Sequence, residues 1–372
     1  MTLTRLAVQG FRNLATQQLV VPPGSVAVLG DNGAGKTNLL EAIAVLGNLS
    51  SFRPGSPTGW VGRNGSAYVL EGTVRRAGSE VTIRQTGRVA GTLQRSLYRG
   101  PRRLGSDQYL EIFPVVAISS ADRLLLWGTP QDRRRFLDRV AFQLHPETLV
   151  VMQRYRRALK QRNALLQRGG SAAAFDAFES DLAVLGARLV HLRQSALDSL
   201  QQTMEEELTR VEWGLARPVL RYHAPDGVIG GEEAAVARGL REKLARLRRD
   251  EQARGVTTVG PHRHDLLIIV HSAPAREVLS AGQGKLLAVT LRLAAMTALA
   301  RGRGEVPTVV FDDVDAELDG NVLERVLARF TGEHQVLLSS AHEEMLLPRL
   351  KAAAVWRVAG GHVECDARGS DR

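Results

Sequence analysis

Val26-Ala27-Val28-Leu29 is a short apolar run, and Gly30-Asp31-Asn32-Gly33-Ala34-Gly35-Lys36-Thr37 follows it at once. A helix-forming stretch from Asn38 to Val45 comes next. The pattern G-x-x-x-x-G-K-[ST] between a strand and a helix leaves little freedom in what this part of the chain can build. The glycines let backbone N–H groups turn inward around phosphate oxygens, and the helix N-terminus adds its positive dipole end. Lys36 then reaches the β- and γ-phosphates, and the Thr37 hydroxyl is the expected ligand of Mg²⁺. Gly30 through Asn38 is thus an expected ATP-binding loop, set on the end of a parallel strand in an α/β fold.

A second segment completes that chemistry. Thr308-Val309-Val310-Phe311 suits a buried central strand and delivers Asp312-Asp313 at its carboxyl end, where doubly wound sheets bind ligands. Asp312 is expected to hold Mg²⁺ through water, and Asp313 to polarise the attacking water. The same two residues would also serve as caps of the next helix. Downstream, Gln335–Ser340 reads as another buried strand followed by Ala341-His342.

Leu279-Ser280-Ala281-Gly282-Gln283, with a helical run from Gly284 to Ala300 behind it, resembles the signature loop of ABC-type ATPases. The resemblance implies an ATP-dependent homodimer in which Ser280, Ala281, Gly282 and Gln283 close over the γ-phosphate held by the other protomer. In the same frame Asp313 stands where many such proteins carry a Glu, and the shorter side chain implies slow hydrolysis. Asp315–Asp319 resembles the D-loop at the dimer interface, with Asp319 also suited to cap the helix Val322–Phe330. His342 resembles the switch histidine on the γ-phosphate, although a lone His after a strand also suits an ordinary surface position.

The chain has 372 residues, room for more than one domain, and its 44% apolar and 24% charged content is that of a globular protein. No apolar stretch approaches the ~20 residues of a membrane helix, and no signal-peptide pattern opens the chain, so the expected location is cytoplasmic, without membrane association. The single cysteine, Cys365, excludes an intramolecular disulfide and a Cys-cluster metal site. A net charge of +10 favours a polyanionic partner without saying which one, and dispersed Arg on a solvated face is the alternative account.

Residues 67–98 contain three strand-like runs separated by Gly-bearing turns, consistent with an antiparallel subsheet, and Pro114–Ile118 reads as a further core strand. From Gln131 to about Ala253 the pattern is helical, as in Phe175, Phe178, Leu182, Leu185, Leu189 and Leu192. Pro218–Gly231 interrupts it once, and strand signals return at Asp265–Val270. The expected organisation is an ATPase head in two halves, residues 1–125 and 256–372, with an all-helical domain inserted at 126–255. No heptad is long enough for an extended coiled-coil arm.

Several separate segments make the resemblance more specific. Gly10–Leu14, Lys36–Ile43, Ser51-Phe52-Arg53, Arg133-Arg134-Arg135-Phe136-Leu137-Asp138 and Gly260-Pro261-His262-Arg263 occur in the order seen in the RecF family of bacterial recombination mediators. The resemblance spans most of the chain. It implies an ABC-type P-loop ATPase head with an antiparallel β subdomain, and it sets Arg12 and Asn13 near the nucleotide. A turn with a local Asn cap would explain the same two residues. It also implies duplex and gapped DNA as ligand, recombinase loading, and a RecR-type mediator as partner. Two departures stand out. His264 replaces the first of two acids that usually follow G-P-H-R, and no glutamine follows the Pro114–Ile118 strand where one normally approaches Mg²⁺.

The insert carries basic clusters at Arg133–Arg135 and Arg139, at Arg154–Arg162, and at Arg241–Arg249. Arg133, Arg134, Arg135, Arg154, Arg157, Arg246 and Arg249 are the expected DNA contacts. Aromatic content of 5% argues against base stacking and for salt-sensitive binding to duplex phosphates. Internal pairing, with Asp132 and Asp138 near Arg133–Arg135, is the alternative for that cluster. A detached transporter ATPase or a subunit of a chromosome-organising complex is the competing function; a linked nuclease would need an acidic metal-binding domain that the segment after Asp319 is too short to hold.

Overall fold

The computed structural model describes residues 1–63, 65–214, 216–318, 320–330, 334–350 and 354–367. The chain divides into two compact units. The first comprises Met1–Arg123, Thr203–Leu215 and Leu279–Arg372, and the second Leu124–Gln202 and Ala216–Val278.

The first unit opens with β1 (Thr2–Gln9), β2 (Gln17–Val20) and β3 (Ser25–Leu29), then helix α1 (Lys36–Asn48). A meander follows: β4 (Ala67–Arg76), β5 (Ser79–Ala90), β6 (Thr92–Arg99) and the short β7 (Arg102–Arg103). Together with β1 and β2 these strands make a six-stranded antiparallel sheet in the order β2-β1-β4-β5-β6-β7. Buried and partly buried residues alternate along β4, as expected where one face meets the core more closely than the other. Next comes β8 (Val115–Ile118), every residue of it buried.

In the second unit, α2 (Pro130–Leu144) starts at a Thr129/Asp132 capping box, and α3 (Glu147–Arg168) and α4 (Ala172–Arg210) follow. Residues of α4 from Thr203 onward count with the first unit. Phe175, Leu182, Leu189 and Leu192 are buried, in keeping with the helical period read in the sequence. The region is not all-helical. Strand β9 (Val219–His223) occupies the interruption, and after α5 (Glu233–Arg254) it pairs antiparallel with β10 (Asp265–Val270), which pairs with β11 (Ala273–Pro274). β9 alternates buried Leu220 and Tyr222 with exposed residues over only five positions, and its partner lies beyond α5. That pairing also carries the second unit on to Val278, past the expected boundary at 255.

The first unit resumes with α6 (Ala281–Arg303), β12 (Thr308–Phe311), β13 (Val336–Ser340), β14 (Ala354–Ala359) and β15 (His362–Ala367). The central sheet has the order β15-β14-β3-β13-β12-β8, parallel except for β15. β3, β8, β12 and β13 are buried along their whole length, which is why they read as unbroken apolar runs. Their side chains form one core with Leu293, Met296 and Leu299 of α6. The order β3-β13-β12 brings the Gly30–Thr37 loop, Ser339-Ser340 and Asp312-Asp313 to adjacent carboxyl ends.

Candidate nucleotide site

Gly30 and Gly35 show why the loop needs glycine. Their φ angles are 148° and 122°, and a Cβ on Gly30 would collide with the Val358 carbonyl. Gly35 is the N-cap of α1, with Lys36 buried at the first helical position. Lys36 Nζ donates to the carbonyls of Gly30 at 2.7 Å and Asp31 at 3.1 Å, folding the side chain back over its own loop. Asp31, Asn32 and Gly33 are exposed at the tip.

The acidic half of the site is organised by Ser339, which is fully buried. Its hydroxyl donates to Asp312 Oδ1 at 2.8 Å and accepts from the Asp313 backbone N–H at 2.8 Å. Asp313 sits in the left-handed region at φ 51°, which turns the chain sharply away from β12. Burial pushes the Asp312 carboxyl up to about 6, with the charge of Asp313 adding to it and hydrogen bonds from Ser339 and Thr37 opposing it. Burial raises Asp313 too, against the pull of Lys36. Two carboxylates crowded beside the Thr37 hydroxyl leave the spot short of positive charge, and hard oxygen donors of this kind suit Mg²⁺.

His342 Nδ1 lies 2.7 Å from Asp315 Oδ2, and that hydrogen bond raises the imidazole pKa. The His342 backbone N–H donates to Ser340 Oγ at 2.8 Å. Asp319, expected as a helix cap, lies outside the described residues.

Arg12 and Asn13 attach to α1. Arg12 donates from Nε and Nη2 to the two carboxylate oxygens of Glu41 at 2.9 and 2.8 Å, and Glu41 is fully buried. Asn38 donates to Asn13 Oδ1 at 2.6 Å and accepts from Arg53 at 2.8 Å. Glu41 and Arg53 were legible only as parts of a family pattern; their role as counter-charges holding the Gly10–Leu14 turn on α1 comes from tertiary proximity. In the segment where the glutamine is missing, a carboxylate is tied down instead. Asp122 accepts the Ser119 N–H at 3.0 Å and two donors of Arg292, on α6, at 2.8 and 2.6 Å.

Ser280 caps α6 reciprocally: its hydroxyl accepts from Gln283 N–H, and Gln283 Oε1 accepts from Ser280 N–H at 2.9 Å. Ser280, Ala281 and Gly282 are exposed, and nothing lies within 4 Å of a Cβ on Gly282.

The basic residues separate into two groups. Arg154, Arg157, Arg246 and Arg249 are exposed, as is Arg135, while Arg134 is partly buried. Arg133 is buried and donates to both oxygens of Asp265 at 3.0 and 2.7 Å, so the expectation that it contacts DNA is withdrawn. A guanidinium beside apolar helix faces must carry its counter-ion inside, and Asp265 serves that end. Arg162 is likewise fully buried, between Glu179 and Glu251. His264 is buried between Asp226, at 2.9 Å, and the Tyr222 hydroxyl, at 3.0 Å.

This sheet, phosphate loop, acidic pair and exposed signature loop define an ABC-type ATPase head. A profile of the RecF/RecN/SMC N terminal domain matches residues 2–363. A protein from Anaeromyxobacter sp. (strain Fw109-5) named DNA replication and repair protein RecF is 35% identical over 98% of this chain and 99% of its own length. The RecF of Acidothermus cellulolyticus is 33% identical over 94% of this chain and 96% of its own. A solved structure of the recombination mediator protein RecF with ATP, in the RecFOR pathway, superposes with a TM-score of 0.90 at 27% identity, covering 98% of this chain and 97% of that one. An Smc head bound to the C-winged helix domain of ScpA shares the fold, with a TM-score of 0.54 at 16% identity, covering 99% of this chain and 98% of that one. The chain belongs to the RecF/RecN/SMC family and, within it, to the RecF proteins.

Proposed function

We propose that this protein is an ATP-gated DNA clamp of recombinational repair. ATP and Mg²⁺ bind the Gly30–Asn38 loop and Asp312, two protomers close on each other, and the dimer holds duplex DNA at single-strand gaps. Slow hydrolysis resets it, a RecR-type mediator is its partner in recombinase loading, and it works in the cytoplasm. One observation carries this reading: Lys36, Thr37, Asp312 and Asp313 converge, whereas Ser280, Ala281 and Gly282 of the same unit are exposed and the Ser280 and Gln283 side chains are spent capping their own helix.

The geometry supports the following roles. Phosphate oxygens compete with the Gly30 and Asp31 carbonyls for Lys36, releasing the loop to wrap them. Thr37 and Asp312 are the metal-facing pair, and Mg²⁺ there supplies charge to offset the phosphates and the two carboxylates. Ser339 fixes Asp312 through Oδ1. Asp313 orients water, with His342 held ready by Asp315. The Ala281 and Gly282 N–H groups, which the Ser280–Gln283 cap does not use, would complete the γ-phosphate site of the other protomer.

The test is DNA binding and sedimentation with and without ATP. Lys36→Met is expected to abolish the ATP-dependent part of duplex binding; binding that still responds fully to ATP sinks the gating. Among the described residues no helix is long and apolar enough to cross a membrane.

A further inference from the structure

In the second unit a cavity of about 210 Å³ is lined by Arg134, Arg135, Arg156, Arg193, Asp138 and His262, together with apolar side chains. Its charge is unbalanced. Of the lining acids only Asp138 is present, and it is taken up by Arg193 Nε at 2.7 Å. Arg193 is itself buried and spends Nη1 on the Pro261 carbonyl at 2.7 Å and the Tyr222 hydroxyl at 3.3 Å. Arg134 donates once, to the His264 carbonyl, and its pKa is lowered by burial and by the neighbouring charge of Arg193. Arg135 has only a 3.6 Å contact with Asp132, and Arg156 makes no ion pair among the described residues.

His262 does not add to the charge. Burial holds its pKa down to about 4, and its ring is committed to the Tyr155 hydroxyl at 2.7 Å and the Thr257 carbonyl at 3.0 Å. The Nε2 proton therefore goes to the carbonyl and Nδ1 accepts from Tyr155. The ring is a neutral, rigid wall, and the guanidiniums around it are the recognition groups.

We propose that this cavity is a binding site for a phosphate oxyanion, gripped by Arg134, Arg135 and Arg156. Planar guanidiniums lining one concavity match a tetrahedral oxyanion through paired N–H donors. A dianion relieves the repulsion among them more fully than a carboxylate does. Free phosphate and a DNA phosphate share this chemistry; assigning the phosphate to DNA rests on the function proposed above.

The experiment separates the two sources. Full-length protein, its nucleotide loop saturated with a non-hydrolysable ATP analogue and Mg²⁺, is titrated calorimetrically with inorganic phosphate in chloride buffer. One phosphate per chain is expected, weakened at least tenfold by Arg156→Glu or Arg135→Glu and only partly restored by Arg156→Lys, which keeps the charge but not the paired donors. ATP-analogue affinity, which none of these surface changes should alter, reports that the variants fold. Absence of phosphate binding, or binding indifferent to Arg156→Glu, overturns the site. The same variants are then tested on short duplex DNA across salt concentrations. The slope of log affinity against log salt should fall by roughly 1 for each DNA phosphate that the variant no longer neutralises. An unchanged slope and affinity, in variants that have ceased to bind inorganic phosphate, overturns the DNA assignment and leaves free phosphate as the ligand. Failure of the unmodified protein to bind DNA at all counts against the clamp, while the phosphate titration still decides the cavity.

Discussion

Ser339 shows how one hydroxyl sets the chemistry of its neighbours. It donates to Asp312 and accepts from Asp313 N–H, so removing it takes a donor from a buried carboxylate and strands a backbone N–H. Ser339→Ala should cost about 1–3 kcal/mol of stability and weaken Mg²⁺-dependent ATP binding, measured by denaturant titration and by nucleotide binding against Mg²⁺ concentration. Asp312 provides a pH test. The folded carboxyl keeps its proton up to about pH 6, whereas the unfolded one releases it near 3.8. Between those values the folded chain holds the extra proton, so without nucleotide the contribution of Asp312 to stability falls as pH rises through that window. Asp312→Asn should therefore raise the Tm at neutral pH, by roughly 1–3 kcal/mol in stability, while abolishing hydrolysis. Metal-dependent ATP binding should run the other way, weakening as pH falls through about 6, because the proton competes with the cation.

Charge pairs set within and between elements decide how rigidly the helices are held. Glu41 is buried on α1 and is neutralised by the bidentate Arg12 with Arg53 beside it at 3.5 Å. Arg12→Ala should cost about 3 kcal/mol, most of it recovered in Arg12→Met/Glu41→Met, because the penalty is the unpaired charge and not the missing attraction. A double-mutant cycle in urea checks this. Arg162, on α3, is buried deeper: it bonds Glu179 of α4 and Glu251 of α5, with Thr257 beyond. Arg162→Met should destabilise the second unit by about 3–5 kcal/mol, and unfolding followed by far-UV circular dichroism reports it. An exposed neighbour such as Arg154 should be replaceable within about 0.5 kcal/mol. The contrast within one basic cluster is a matter of which helix face each residue occupies.

At the scale of the whole molecule the proposed clamp needs a second copy. Ser280→Arg places a long cation in the exposed cap of α6 and should leave ATP binding intact while preventing ATP-dependent dimerisation, as read by sedimentation velocity. A variant that still dimerises with ATP would remove the reason for reading Leu279–Gln283 as a loop that works in trans. The loop reads the same way as a string and in three dimensions because its chemistry is local: a hydroxyl, small residues and a helix start.

That distinction runs through the molecule. The buried strands β3, β8, β12 and β13, the phosphate loop, the acidic pair after β12 and the meander β4–β6 were legible because each is specified by residues close together in the chain. Periodicity, glycine spacing and apolar runs act over a single turn or strand. Ser339 as the bridge between two aspartates, Glu41 as the partner of Arg12, Asp122 as the partner of Arg292, and β9 as a strand were settled by tertiary structure alone. Each depends on residues far apart in sequence that approach only after the sheets and helices pack. The cluster Arg133–Arg135 is the sharpest instance. Composition marks its three cations as equivalent, but roughly half a helix turn separates Arg133, turned inward to Asp265, from Arg135, which faces water. Side-chain charge is written in the sequence; whether a charge serves the fold or remains free for a ligand is decided by the face it occupies and the counter-ion that packing brings to it.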